Sequence, residues 1–416
     1  MEHLEGTIRA YPWGSRTLIP SLCGKPVPSA RPEAELWFGA HPASPSTLAS
    51  SGTLLDAAIA ANPTALLGKR VVDDFGPNLP FLIKLLAADQ PLSLQAHPSK
   101  VQAEEGYARE NAAGISLNAS NRNYKDPNHK PELIVALNEF HAMAGFRPLA
   151  QTLELFKALD CQPLARYLNI VDLTGADEAT NLRALFTTLI TIPKAIREAL
   201  INDLIECAKK PLAGPEWINE VLTNVLELQE RYPGDIGVLG ALLLNHLTLQ
   251  PGEAIYMDAG TLHAYIRGLG VEIMANSDNV LRGGLTSKFV DVGELLRVIN
   301  FEPTVDPRVH PKAGHYPVPV ADFKITRLTV NSTDTDSTLY SDGPAILLCT
   351  RGRIVIRSTA TAAAATDTAA IYLRAGEAAW LPASEGEVLV QAVENEVDAA
   401  SASGAGSNAE VFWAAV

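Results

Sequence analysis

Residues 259–291 read AGTLHAYIRGLGVEIMANSDNVLRGGLTSKFVD. Between His263 and Arg282 this stretch carries an imidazole, the carboxylate of Glu272 and a guanidinium, punctuated by glycine, and Tyr265, Asn276, Asp278 and Lys288 fall in the same run. A strand that only filled a core has no use for so many polar groups, because each costs free energy when buried without a partner. They must converge on something. The flanking residues, LTLQPGEAIYMDAGTLHAY, are β-like, so the stretch predicts a β unit with a polar cavity.

Working outward, two earlier segments supply the other walls: Ser93-Leu94-Gln95-Ala96-His97 and His129-Lys130-Pro131-Glu132. As a strand, the first puts Ser93, Gln95 and His97 on one face and Leu92, Leu94 and Ala96 on the other. The same parity sets Lys130 with Glu132, opposite Pro131, Leu133 and Val135. Upstream, FLIKLLAA (81–88) is apolar almost throughout and reads as a buried strand whose single charge, Lys84, needs a cavity or a partner.

Residues 1–50 read as short strands and turns, with short helices at 54–61, 63–67 and near VQAEEGYARE. From Pro148 to about Asn245 the period becomes helical. Leu182, Leu185, Phe186 and Leu189 form one apolar stripe; Ile196, Leu200 and Leu204 form a second, after Pro193; Ile218, Val221, Leu222 and Val225 form a third, stopping before Pro233-Gly234. After Pro311 the pattern is again β. LQPGEAIYMDA (249–259) is echoed by LRAGEAAWLPA (373–383), suggesting two copies of one β unit, the second without histidine. Ser358–Ala370 and Val397–Ala409 read as flexible loops. GLG (268–270) and GG (283–284) fit no phosphate-binding motif and read as tight turns.

The fold expected is mainly β with an α-helical insertion. Residues 1–150 and 246–310 form one β domain, 151–245 a helical domain, and 311–416 a second β domain. A net charge of −14 excludes a nucleic-acid footprint. No apolar run suits a membrane span, and the N-terminus shows no secretory signal. Cys23, Cys161, Cys207 and Cys349 form no CxxC pair, against a disulfide framework or zinc ribbon. A cytosolic protein is expected.

Gln95, His97, Glu132 and His263 compose an N/O shell of two imidazoles, one carboxylate and one amide, the composition of a catalytic rather than a closed structural zinc site. Two separate core histidines would satisfy the spacing equally well. Lys84, Lys130, Arg282 and the second acid, Glu272, would surround it. Lys130 or Glu272 is the candidate proton carrier, and Arg282 suits a bidentate grip on phosphate or enediolate oxygens.

These residues resemble the type I phosphomannose isomerases of the cupin superfamily, through YPWGS (11–15), AELWFGAHP (34–42), PFLIKLLAA, SLQAHPSK, HKPELIVAL, YPGDIGVLGALLLN, PGEAIYMDAGTLHAYIRG and VEIMANSDNVLRGGLTSKFVDV. The resemblance covers the chain to about residue 300. It implies two cupin-like β-barrel (jelly-roll) domains plus a helical domain, the second barrel without metal. It implies one Zn²⁺ on Gln95, His97, Glu132 and His263, with Arg282, Lys130 and Glu272 catalytic. Lys84, Tyr265, Trp13, Ser93 and Asp278 would contact substrate. The implied activity is zinc-dependent interconversion of mannose 6-phosphate and fructose 6-phosphate through a cis-enediolate, by a monomer feeding mannose and GDP-mannose metabolism. Ser99 stands where the family commonly has Asp. Two other readings are an iron or manganese cupin dioxygenase or decarboxylase, which favours three histidines, and a non-catalytic sugar-phosphate-binding cupin.

Overall fold

A computed structural model describes residues 1–210, 214–331, 337–359, 370–393 and 408–416. Strands make up 32% of it and helices 30%, so the fold is mixed rather than mainly β. Ahead of the central segment Leu18–Leu22 and Lys69–Phe75 join the expected short helices, Leu55–Ala61, Pro63–Leu67 and Lys100–Ala112. The last of these opens on a reciprocal cap. Ser99 Oγ accepts from the Gln102 amide, and the Ser99 amide donates to Gln102 Oε1 at 2.9 Å. Serine here starts the helix and satisfies two otherwise orphaned donors.

The strands of the described residues form three antiparallel sheets and close no barrel. The central element is the strand His263–Ala275. Its second half runs between Phe81–Ala88 and Glu132–Ala136, with Glu272 opposite both Lys84 and Ile134. Its first half leaves that layer and pairs with Phe140–Phe146 and, through His263 and Gln95, with Leu94–Ala96. One strand therefore serves two layers. The glycines expected to make turns lie inside strands instead. A Cβ on Gly268 would sit 2.8 Å from the Phe140 Cα, and one on Gly270 would sit 2.9 Å from the Val135 carbonyl. These glycines let neighbouring strands approach where the long strand changes layers. Gly283 and Gly284 likewise belong to the strand Leu281–Gly284.

Alternation decides which face holds chemistry. Leu94, Ala96, Leu262, Ala264 and Ile266 are buried in one core with Leu182, Leu185, Phe186, Leu189, Leu200, Leu204, Ile218, Val221, Leu222 and Val225 of the helices Glu178–Ile190, Lys194–Ala208 and Glu216–Arg231. The helical layer thus covers the apolar face of these strands, and Gln95 and His263 take the other face. Ile196 departs from the expected stripe and is 48% exposed. It lies in the first turn of its helix, after the capping residue Pro193, before the stripe reaches the core.

The internal echo is a repeated structure. Gly252 and Gly376 both have positive φ, 92° and 86°, where a side chain is strained. In each turn a glutamate side chain accepts from the residue three before it, Glu253 from the Gln250 amide and Glu377 from the Arg374 amide, both at 2.8 Å. Each glycine donates to a neighbouring strand, at Ala136 and Cys349, both at 2.8 Å. Registers then coincide: Met257 lies opposite Glu132, and Leu381 opposite Ala345. The second copy has alanine where the first has its carboxylate.

The C-terminal strands share a sheet with the start of the chain, since Glu2 is paired with Trp380 and Leu4 with both Ala378 and Leu48. The stretches expected as loops, 358–370 and 397–409, lie mostly outside the described residues. At their edges Ser358, Ala370, Asn408 and Ala409 belong to strands. Among the described residues no helix is long and apolar enough to cross a membrane.

Candidate active site

His97, Glu132 and His263, from three different segments, bring ligand atoms within 4.8 Å of one another, all buried. Glu132 Oε2 lies 3.4 Å from His97 Nε2 and 3.3 Å from His263 Nε2. Each imidazole is oriented from behind by the backbone: His97 Nδ1 is 2.6 Å from the Asn279 carbonyl and His263 Nδ1 is 2.9 Å from that of Thr261. A carbonyl only accepts, so both rings carry a proton on Nδ1 and turn Nε2 inward. The two Nε2 atoms and a carboxylate oxygen converge, and His97 Nε2 and Glu132 Oε2 have no hydrogen-bond partner. That costs free energy unless a cation sits among them. The donor set fits a metal.

Electrostatics agree. Burial, then Lys130, pushes the His97 imidazole down to about 4, so it is neutral and ready to ligate. Burial alone would raise Glu132; Lys130, 2.8 Å from its Oε1, and the imidazoles outweigh burial and hold the carboxyl well below its ordinary range. Gln95 faces His263 on one neighbouring strand and Arg282 on the other. Its amide lies 3.5 Å from His263 Nε2, and a half-turn of the amide presents oxygen in place of nitrogen.

Next to this cluster lies a second one. Lys84 forms an ion pair with Glu272 and sits 3.2 Å from Glu35 Oε1. Tyr265 donates its hydroxyl to Glu272 Oε1 at 2.6 Å, and Trp37 donates Nε1–H to Glu35 Oε2 at 2.9 Å. Burial opposes the Lys84 charge, but Glu272, Glu35 and Glu132 outweigh it and hold the ammonium above the ordinary lysine range. Glu272 is raised, by burial first and then Glu132, against the pull of Lys84. Lys84 is therefore partnered, not reaching for water.

Arg282 is half-buried and has no carboxylate partner among the described residues. Burial, then Arg282 and Lys125, lowers Lys288, which places three cations together. Trp13 stacks on Tyr11 and packs against the cluster containing Tyr265. Ser93 is half-buried just ahead of the strand bearing Gln95. Asp278 lies at the rim rather than against the three ligands. It is exposed, 3.6 Å from His41 Nε2, and lines a cleft of about 730 Å³ with His41, Lys125, Asp126 and His129.

Sequence reasoning singled out neither Glu35 nor the carbonyls of Asn279 and Thr261. A lone acid at the head of the apolar strand Glu35–Gly39 is the same signal that drew attention to Lys84; backbone carbonyls leave no such trace.

A buried N/O cluster open to further ligands, backed by an ion-paired acid and a tyrosine, is the arrangement of a catalytic rather than a structural metal site. Residues 1–149 match the family described as phosphomannose isomerase type I, catalytic domain. The chain is 39% identical over 398 residues to the mannose-6-phosphate isomerase of Salmonella typhimurium, covering 93% of this chain and 96% of that one. It is 32% identical over 390 residues to the human mannose-6-phosphate isomerase, covering 86% and 89%. A crystal structure of mannose 6-phosphate isomerase bound with zinc and yttrium superposes with a TM-score of 0.83 at 36% identity, covering 100% of both chains. The chain belongs to the type I phosphomannose isomerase family and is an isomerase.

Proposed function

We propose that this chain interconverts mannose 6-phosphate and fructose 6-phosphate, with one zinc ion held by Gln95, His97, Glu132 and His263. The observation that carries the reading is the convergence of His97, Glu132 and His263 ligand atoms within 4.8 Å, with His97 Nε2 and Glu132 Oε2 lacking hydrogen-bond partners, next to a carboxylate, Glu272, whose proton affinity burial has raised. The reaction moves a proton between C2 and C1 of the open-chain sugar through a cis-enediolate. Zinc, when bound, supplies positive charge that lowers the energy of the developing oxyanion.

Glu272 takes the proton from C2 and returns it to C1. Tyr265 and Lys84 fix its two oxygens, so it needs no reorganisation during transfer. Lys130 balances the charge of Glu132 and stands beside the reacting oxygens. Arg282, without a carboxylate partner among the described residues, holds enediolate oxygen, and Lys288 and Lys125 extend the cationic surface toward the phosphate. Trp13, Ser93 and Asp278 border the sugar. Residues 1–150 and 246–310 would form the catalytic unit, 151–245 its helical cover and 311–416 a metal-free unit, the two β units being cupin-like. Such an enzyme works as a cytoplasmic monomer and feeds mannose and GDP-mannose metabolism.

Purified protein incubated with mannose 6-phosphate should form fructose 6-phosphate, lose the activity to a chelator and regain it with zinc. Folded, zinc-loaded protein that forms no product would overturn the reading.

A further inference from the structure

We propose that Asp322, from the C-terminal third of the sequence, is a positioning residue for the site; this rests on the reading of Glu132 as a ligand and Lys130 as a site cation. Glu132 opens the strand Glu132–Ala136 and is paired on both edges, at Met257 and Met274, but Lys130 lies in the stretch between Ala113 and Pro131, which has neither helix nor strand. That stretch is held only by its individual bonds.

Most of those bonds come from the loop following the long central strand. Asn279 Oδ1 accepts from the Lys125 amide at 2.6 Å, Ser277 Oγ donates to Asp126 at 2.8 Å, and Asn128 donates to the Asn276 carbonyl at 3.0 Å. At His129 the tether comes from elsewhere. Its Nε2 lies 3.0 Å from Asp322 Oδ1, with the His129 side chain 24% and the Asp322 side chain 9% exposed. Asp322 is itself rigidly placed: Phe323 is fully buried, and the strand Lys324–Asn331 follows. The bond therefore clamps the segment to the C-terminal sheet one residue before Lys130 and three before Glu132. Both partners line the same cleft as His41 and Asp278. Releasing His129 leaves Lys130, 2.8 Å from Glu132 Oε1, with one fixed point fewer, and displacements of about 1 Å are costly to catalysis.

The experiment compares Asp322→Ala and Asp322→Asn with the unaltered chain, measuring kcat, KM, melting temperature and zinc affinity by chelator competition. Asp322→Ala should lower kcat or zinc affinity by about tenfold, the low end of the loss when a metal ligand's own partner is disturbed, that partner here being Lys130 beside Glu132, with KM within a factor of two. Asp322→Asn, which keeps an acceptor oxygen, should recover most of the loss. His129→Phe combined with Asp322→Ala should be no worse than either alone. A folded Asp322→Ala protein with unchanged kcat and zinc affinity overturns the inference, as does a loss confined to melting temperature. If the unaltered protein makes no fructose 6-phosphate, the isomerase reading fails by itself, and zinc affinity still decides the role of Asp322.

Discussion

Lys84 and Glu272 stand directly opposite each other on adjacent antiparallel strands and form an ion pair that almost no solvent reaches. Taking two charges out of water is expensive, and removing one partner leaves the other uncompensated. Lys84→Met strands both Glu272 and Glu35 and should cost about 3–5 kcal/mol in urea unfolding at neutral pH. Glu272→Gln should cost less, because Lys84 keeps Glu35. The double variant should recover part of the Lys84→Met loss; strict additivity would show that the pair is not coupled. The raised Lys84 makes its contribution full below the ordinary lysine pKa of about 10.4, and lost only as pH climbs through the raised value.

Tyr265 tests the acid itself. Tyr265→Phe removes the hydroxyl held 2.6 Å from Glu272 Oε1 and leaves a buried acceptor short of a donor. The expected cost is about 1–3 kcal/mol of stability. If Glu272 carries the proton, kcat should fall roughly tenfold with KM little changed. Unaltered kcat in a folded variant would move the proton transfer to Lys130.

Arg282 tests oxyanion stabilisation. Arg282→Ala should lower kcat by roughly 100- to 1,000-fold, the loss typical when one donor to a developing charge is removed. Zinc content should stay at the unaltered level, since Arg282 is not itself a proposed ligand. Metal analysis alongside steady-state kinetics separates the two, and normal turnover would remove Arg282 from the mechanism.

A histidine outside the candidate site should set acid sensitivity. Burial, then His141, Arg147 and Arg267, pushes His246 down to about 4 from an ordinary 6.5. The unfolded chain therefore binds its proton more readily, so this stability is full above about pH 6.5 and is lost as pH falls toward about 4. The amount is of order 3 kcal/mol. His246→Gln should flatten the fall in unfolding free energy between pH 7 and 5 and leave activity at pH 7 unchanged. An unchanged pH slope would show that the ring is not the group responsible.

Much of the site is legible because a strand's period of two leaves few choices. Gln95 had to share a face apart from Leu94 and Ala96, and those two point into the helical core. Glu132 had to share a face with Lys130, and they touch. What resists reading is carried by the backbone. The tautomers of His97 and His263 are set by carbonyls, which every residue has. The glycines at 268 and 270 read as turns because glycine marks turns and close strand approach alike. The helical share was underestimated because helices as short as Leu18–Leu22 and Lys69–Phe75 bury too few residues to show a period.

The pairing of Glu2 with Trp380 sets a schedule for the chain's birth. Ribosomes extend a protein at roughly 5–20 residues per second, so the first strand, whose one edge meets Leu48 early, waits on the order of 20–80 seconds before the partner of its other edge has been made. During that interval an edge built from the first residues stays open to strangers, and molecules that grip unpaired strands have their best opportunity. Closing that edge is left to a strand made long afterwards.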